Sequence, residues 1–266
     1  MARHQNPDGS WSPVGYTRQC RPACAPNPGS EDYQTGVTGL SLLAFVGAGY
    51  SHLSKDTYDG LCFGDVVRKG LQWLKGRQDA DGCLGSRSAE KYMYSHAIAA
   101  LALSEAYGWT GSQLLQASAQ NAIDFLVAAQ NPGRGWRYAA RSGDSDTSVT
   151  GWAVMALRSA ALSGLALPHS ALDGARAWLD EVTDASTAAA GYTHLGTGKV
   201  FIPGLNQDFE NHETMTAIAA ASRVFLGRGG ALSRQGAGRL QQDLPRADAL
   251  AVDYYYWYCG TLAVFQ

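Results

Sequence analysis

A helix–turn–helix pattern that recurs along the chain constrains its fold more than any other feature of the sequence. The clearest copy spans residues 121–157: a helical stretch ending at Gln130, a Pro/Gly turn carrying Trp136, and a second helical stretch that begins polar and becomes apolar. Related turns follow Gln5 and Gln78. A unit of about fifty residues buries little surface alone and must stack on its neighbours. The pattern therefore predicts a repeat protein.

Two sets of positions, one aromatic and one polar, recur with the pattern. The aromatic set is Trp73, Phe125 and Trp178, and the polar set is Thr38, His96, Thr150 and Thr216. One helix of each pair is apolar on nearly all sides, which is typical of an inner position, and the other has a polar face, which is typical of an outer position. We therefore predict an all-α fold: an α/α toroid, or barrel, of about five helix hairpins with an inner and an outer ring.

The length and the turn chemistry favour one domain over residues 1–266. A chain of 266 residues, 45% of them hydrophobic, is long enough for one well-buried core. Residues 12–33 are rich in Pro, Gly and Ser, and residues 193–211 lack helical periodicity, so both are expected to be irregular loops. The first turn lacks a preceding helix and Gln266 ends a helix without a turn, so we expect either a piece of a longer protein with flanking domains or a naturally minimal version of such a protein.

Charge and hydrophobicity exclude several classes of protein. A net charge of −2 without any basic run argues against a nucleic-acid partner. No apolar run reaches the roughly 18 residues of a spanning helix, which predicts a soluble chain. The start of the chain does not resemble a signal peptide, and its localisation stays open, with export one option.

The five cysteines give a weak metal signal. Cys20 and Cys24 form a C-x3-C pair without a second pair or a nearby histidine, so we predict no metal and no cofactor. A local disulfide in an exported protein and plain free thiols both remain open for these residues. Cys259 lies in an aromatic stretch and is expected in the core.

The three turns resemble the Gln–Trp repeat of the squalene–hopene cyclase and protein prenyltransferase superfamily. They read Gln-Asn-Pro-Asp-Gly-Ser-Trp from Gln5, Gln-Asp-Ala-Asp-Gly from Gln78, and Gln-Asn-Pro-Gly from Gln130, with Trp136 beyond. The resemblance spans nearly the whole chain. It implies an α/α barrel whose active members hold isoprenoids in a central cavity lined by the starts of the inner helices.

The same resemblance points to Asp144 and Asp146 as the candidate catalytic residues. Cyclases of this superfamily protonate a polyprene with the central acid of an Asp-x-Asp-Asp-Thr motif. Here the matching stretch is Gly143-Asp144-Ser145-Asp146-Thr147. Aligned on the threonine, Ser145 stands at the position of the proton donor, and a shift of one residue would instead align both aspartates. Alkene protonation needs a strong, well-supported carboxylic acid, which only the shifted alignment would supply.

Zinc-dependent prenyl transfer is not expected. The superfamily's prenyltransferases bind zinc through an Asp-x-Cys pair and a later histidine. This chain has Asp146-Thr147-Ser148 at the first place and Tyr256 where the histidine is expected, so two of the three ligands are missing. The Cys-Gly-Glu-Gln sequence of the related thioester domains is also absent from the sequence.

Polar and aromatic residues collect where the predicted inner helices begin, and in a toroid these starts would converge on one mouth. As lining of the central cavity the sequence offers Tyr92, His96, His212, Glu213, Asp253, Tyr256 and Trp257. Each also has a structural interpretation. Acidic residues at helix starts are favoured by capping and by the helix dipole, a buried histidine is usually a bonded core residue, and a tyrosine cluster is usually packing.

Three functions follow from these residues. The first is a repeat module without an intact catalytic motif that binds a partner or serves a structural role. The second is a divergent terpene cyclase or mutase, an isomerase or lyase, acting on an isoprenoid. The third is a carbohydrate-active α/α toroid using carboxylates. The partner in each case is a hydrophobic or polyol small molecule in the central cavity, and a plugged centre would favour the first function.

Overall fold

The structure, a computed structural model, describes residues 1–22, 29–197, 213–244 and 252–266. These residues are mostly helical, which confirms the predicted all-α class. The described helices are α1 (Gln34–Gly47), α2 (Phe63–Arg77), α3 (Tyr92–Thr110), α4 (Gln113–Ala128), α5 (Thr147–Leu162), α6 (His169–Val182), α7 (Thr214–Phe225), α8 (Ala231–Leu240) and α9 (Tyr254–Phe265). Short 3-10 helices span Ala2–His4, Tyr16–Gln19 and Glu31–Tyr33, and the strands β1 (Thr57–Tyr58) and β2 (Leu61–Cys62) form an antiparallel hairpin.

Among the described residues, the two segments that the sequence predicts as loops contain only short 3-10 helices as regular structure. In residues 12–33 the described part contains two of the 3-10 helices, and residues 23–28 lie outside the described residues. Residues 193–197 carry neither helix nor strand, and the rest of the predicted 193–211 loop is likewise outside the described part. The aromatic stretch at 254–265 is helical, as the register of the pattern predicts despite its β-branched content.

Contacts divide the chain into two compact units. The first comprises Met1–Ala129, Tyr138–Ala140 and Ala156–Pro168, and the second Gln130–Arg137, Arg141–Met155 and His169–Gln266. Helix α5 therefore contributes its first nine residues, 147–155, to the second unit.

The first unit is built around the apolar helices α1 and α3. These two pack on each other, α2 packs on α1, and α4 packs on α3. Their shared core contains fully buried side chains such as Leu42, Met93 and Leu103. Each such side chain contributes roughly 1.5–3 kcal/mol through removal from water. Helices α2 and α4 keep a polar face, as the pattern predicts for the outer member of each pair.

The second unit has a comparable core around α7 and α9. Helix α7 packs against α6, α8 and α9. Its buried cluster includes Met215, Ile218, Leu240, Tyr256 and Cys259. Small residues dominate α7 from Ala217 to Ala221, and they allow its neighbours to approach closely.

The three turn glutamines make equivalent pairs of hydrogen bonds. In each case the side-chain amide donates to a carbonyl of its own turn and to a carbonyl of the second α-helix after it, which is α2, α4 or α6. The acceptors are Gly9 and Val66 for Gln5 (2.9 and 2.8 Å), Gly82 and Ser118 for Gln78 (3.1 and 2.9 Å), and Arg134 and Ala171 for Gln130 (2.7 and 2.9 Å). Each glutamine thereby joins its own turn to the helix that carries the second acceptor.

An arginine covers each member of the aromatic set. The guanidinium carbon lies 4.7 Å from the ring centroid in Arg77 over Trp73, 5.0 Å in Arg87 over Phe125, and 5.2 Å in Arg134 over Trp178. Cation–π contacts of this kind contribute roughly 0.5–1 kcal/mol each at exposed sites. The arginines therefore add stabilising contacts to α2, α4 and α6, the helices that carry the aromatic set.

Candidate functional site

The polar set predicted from the sequence anchors the turns to the apolar helices. In each case a turn amide donates to the side chain of the helix residue. The bonds are Trp11 N to Thr38 Oγ1 (3.1 Å), Leu84 N to His96 Nδ1 (3.1 Å), Trp136 N to Thr150 Oγ1 (3.0 Å) and Ala190 N to Thr216 Oγ1 (3.2 Å). His96 thus accepts the turn amide, as a threonine hydroxyl does at the other three positions.

His96 is fully buried and both of its ring nitrogens are bonded. Because Nδ1 accepts from the Leu84 amide, Nε2 carries the proton and donates to the Ala122 carbonyl at 3.1 Å. Burial lowers the pKa of His96 to about 3, so the ring is neutral at physiological pH. Its environment is that of a core histidine, and its ring stacks edge-on against Phe125.

Asp146 caps the start of α5. Its Oδ1 accepts the Val149 amide at 2.7 Å, and its carbonyl accepts the Thr150 amide at 3.2 Å. These are the bonds of an N-cap residue. The side chain is 0% exposed, and Oδ2 has no hydrogen-bond partner among the described residues.

Burial raises the pKa of Asp146 to about 7. The Val149 amide, the Arg137 charge and the Tyr192 hydroxyl oppose this effect in part, since each favours the ionised form. The Arg137 Nε lies 4.0 Å from Oδ2, too far for a direct hydrogen bond. Near neutral pH a large fraction of Asp146 is therefore protonated.

Asp144 has a different environment from Asp146. Its side chain is 55% exposed and pairs with the Arg137 guanidinium. Its carbonyl accepts from the side chain of Asn131, which also holds the Gly143 amide. Asp144 is thus solvated and paired with a cation, whereas Asp146 is buried within the second unit.

A cluster of polar and aromatic residues beside Asp146, which extends from the buried Ser148 and Trp152 to the exposed Tyr258, was not predicted from the sequence. The Ser148 hydroxyl and the Tyr255 hydroxyl are 2.6 Å apart, and Trp152 stacks on Tyr255 and Tyr258 with interplanar angles of 10° and 13°. Burial raises the pKa of Tyr255 well above its usual value. Ser148 and Tyr255 are 107 residues apart in sequence, so only their joint position at helix starts pointed to such a contact.

The candidates around α7 are bonded to their own unit. Glu213 pairs with Arg239 and accepts from the Thr216 hydroxyl at 2.6 Å. His212 lies outside the described residues. Glu213 thus links α7 to α8 in addition to bordering the start of α7.

The candidates on α9 form part of its cap and its packing. Asp253 Oδ1 accepts the Tyr256 amide at 2.9 Å, as an N-cap does. Tyr256 is 1% exposed, and its hydroxyl donates to the Asp243 carbonyl at 2.5 Å. Burial raises the pKa of Tyr256 to about 12. The Trp257 ring contacts Tyr254, with centroids 6.3 Å apart.

The remaining candidate, Tyr92, serves the first unit. It is 8% exposed and accepts the Ala140 amide on its hydroxyl at 2.9 Å. Most of the described cavity-lining candidates therefore make structural bonds within their units, whereas Oδ2 of the catalytic candidate Asp146 has no hydrogen-bond partner among the described residues.

Metal ligands do not converge in the part of the chain that the structure describes. No group of three or more His, Cys, Asp or Glu side chains there is arranged to hold an ion. Cys20, Cys62, Cys83 and Cys259 are free thiols, and Cys24 lies outside the described residues. Burial raises the pKa of Cys83 to about 11 and also raises that of Cys259, which makes both poor thiolate ligands.

Comparisons with protein-family models, curated proteins and solved structures found no match to this chain. Among the described residues, no helix combines the length and the apolar character needed to cross a membrane.

Proposed function

We propose that this chain is an α/α toroid module of the squalene–hopene cyclase and prenyltransferase type that binds rather than catalyses. The equivalent bonds of Gln5, Gln78 and Gln130 support the architecture, because a repeated joint is what stacked helix pairs require. Its role is to hold a hydrophobic or polyol small molecule in the central cavity, or to serve as a structural part of a larger protein.

The observation that carries the non-catalytic proposal is the environment of Asp146. Proton-initiated cyclisation needs a carboxylic acid that is stronger than usual and in contact with the substrate. Asp146 has the opposite properties: its carboxyl is fully buried, its Oδ1 caps α5, and burial raises its pKa to about 7. A weaker acid transfers a proton to an alkene less readily. Asp144 is exposed and paired with Arg137, so it does not supply the missing acid.

The test is an assay for turnover and binding with a long-chain isoprenoid. We would incubate the full chain with squalene in detergent micelles, analyse the extract by gas chromatography and mass spectrometry, and follow binding by tryptophan fluorescence. The expected result is no cyclic product from the wild-type chain and saturable binding that Asp146→Asn leaves unchanged. The matched control, Asp144→Asn, changes an exposed carboxyl in the same loop.

A cyclic product that Asp146→Asn abolishes and Asp144→Asn preserves would overturn the proposal and establish the second candidate, a divergent cyclase. One observation favours that candidate. Asp146 Oδ2 is buried without a hydrogen-bond partner among the described residues, and a pKa of about 7 leaves about half of its carboxyl protonated at neutral pH. Catalytic acids also combine burial with a raised pKa. Product formation in this assay separates the two candidates directly.

A further inference from the structure

A cavity of about 460 Å³ lies in the first unit, among residues that the candidate site does not use. It is open to solvent on one side and is lined by the 3-10 helix Ala2–His4, by the β1–β2 hairpin, and by Phe45 and Phe63. Small-molecule sites in proteins commonly occupy ~300–1,000 Å³. The cavity is therefore large enough for a ligand with one or two rings.

Aromatic side chains form the apolar wall of this cavity. The rings of Phe45 and Phe63 meet edge to face with centroids 5.7 Å apart, and Tyr50 packs on the other side of Phe63 at 4.8 Å. These contacts fix the orientation of the Phe63 ring. Tyr58, on the hairpin, is 71% exposed and also lines the cavity. A flat aromatic ligand matches such a wall, because aromatic pairs gain energy beyond the area they bury.

The rim of the cavity carries a cation whose present partner is easily replaced. Arg3 lines the cavity and pairs with Asp59 at the tip of the hairpin. The two side chains are 65% and 55% exposed, so water screens the pair and it contributes little stability. A carboxylate on a bound ligand would take the place of Asp59 at the Arg3 guanidinium, while the ring of the ligand would pack on the aromatic wall.

His4 adds a hydrogen-bond acceptor to the lining. Its Nδ1 lies 2.9 Å from the Tyr16 carbonyl, and since a carbonyl only accepts, Nδ1 carries the proton. The Nε2 atom of the neutral ring is then an acceptor. The lining of this cavity therefore combines an aromatic wall, the Arg3 cation and a hydrogen-bond acceptor on His4.

From these features we propose that the cavity binds a small aromatic carboxylate, with its ring against Phe45 and Phe63 and its carboxylate on Arg3. The competing carboxylate can be removed without disturbing the hairpin. Asp59 and Gly60 both have positive φ, 53° and 76°, as a two-residue type I′ turn requires. Asparagine also adopts this conformation readily, so Asp59→Asn keeps the turn and removes the charge.

The test uses naphthalene-2-carboxylate as the probe and the full chain as the receptor, with binding followed by the fluorescence of the probe. The wild-type chain should bind it saturably. Arg3→Gln should weaken binding about tenfold, since a charge-assisted hydrogen bond is lost. Asp59→Asn should tighten binding several-fold, because Arg3 no longer has an internal partner. Arg68→Gln is the matched control, since Arg68 is an exposed arginine in an ion pair with Asp65, away from the cavity lining.

The two opposite shifts make the proposal falsifiable even when one variant alters folding. Neutral naphthalene-2-methanol should bind more weakly than the carboxylate and should respond to neither charge variant. The absence of saturable carboxylate binding would overturn the proposal, as would equal affinities in wild type, Arg3→Gln and Asp59→Asn. Equal binding of the neutral alcohol would also overturn it, since that result would leave only an apolar cavity without carboxylate recognition.

Discussion

Asp146 combines a capping role with a buried carboxyl oxygen, Oδ2, that lacks a hydrogen-bond partner among the described residues. The two oxygens of this one side chain have opposite energetic effects. Oδ1 satisfies the Val149 amide and stabilises α5, whereas ionisation would place a charge on the sealed Oδ2. Because the pKa of Asp146 is raised in the folded chain, the folded state holds its proton more tightly than the unfolded state does. Stability from this residue is present at acid pH and is lost as pH rises through about 7.

Asp146→Asn should therefore stabilise the chain more at pH 8 than at pH 5. The asparagine keeps the cap on the Val149 amide and cannot ionise, so the change in unfolding free energy should differ between the two pH values by roughly 2–4 kcal/mol. Urea unfolding followed by circular dichroism measures this difference. Asp144→Asn, at the exposed neighbour, should give no such difference. A pH-independent effect of Asp146→Asn would show that Asp146 is ionised in the fold across this range.

At the scale of elements, the side chain of each turn glutamine links its own turn to a later helix through hydrogen bonds to main-chain carbonyls. Gln78 has the fullest set of bonds, because its Oε1 also accepts the Ser118 hydroxyl at 2.7 Å. The turn it holds depends on Gly82, which has φ of 92° and on which a Cβ would approach the Asn121 carbonyl oxygen to 2.2 Å. The main chain of the turn therefore lies so close to the main chain of α4 at Asn121 that position 82 has no room for a side chain.

Gln78→Ala should destabilise the first unit by about 2–4 kcal/mol. The substitution removes three hydrogen bonds, to the Gly82 and Ser118 carbonyls and from the Ser118 hydroxyl, and each contributes a net of roughly 0.5–1.5 kcal/mol. Gln72→Ala is the control, since Gln72 is an exposed residue of the neighbouring helix α2. Thermal unfolding measures both variants. Equal melting temperatures would mean that the Gln78 bonds add nothing to the joint.

Across the whole molecule, two buried titratable groups should give stability opposite dependences on pH. His96 has a pKa lowered to about 3, so its contribution is lost as pH falls below the unfolded value near 6.5. Asp146 loses its contribution as pH rises from about 4 to about 7. The two slopes oppose each other over the same interval, and the wild-type chain should show a shallow profile there.

Removing either group should expose the slope of the other. His96→Thr uses the residue found at the equivalent positions Thr38, Thr150 and Thr216, whose hydroxyl accepts the turn amide. We expect this variant to become more stable as pH falls from 7 to 4, whereas Asp146→Asn should become less stable over the same interval. Scanning calorimetry across this range tests both directions. Parallel profiles in the two variants would contradict the assignment of either group.

The sequence predicted the recurring joints better than the chemistry of the candidate site. The recurring pattern placed Thr38, His96, Thr150 and Thr216 in one set, and in the structure each of them accepts a turn amide. The pattern could not reveal that a ring nitrogen of His96 makes this bond where the other positions use a hydroxyl, because position alone does not specify the accepting atom. The contact of Ser148 with Tyr255 depends on the arrangement of α5 and α9, which local pattern does not encode.

The glutamine joint described above has a consequence for how such a chain can diversify. On the far side of each joint the amide of the glutamine is received by the main chain of Val66, Ser118 or Ala171, three residues with little in common as side chains. The receiving segment can therefore change its side chain at that position without breaking the amide bond, and only the donor must be inherited. Compensating double changes are not required, so the side chains at positions 66, 118 and 171 can change independently of the glutamines that bond to their main chain.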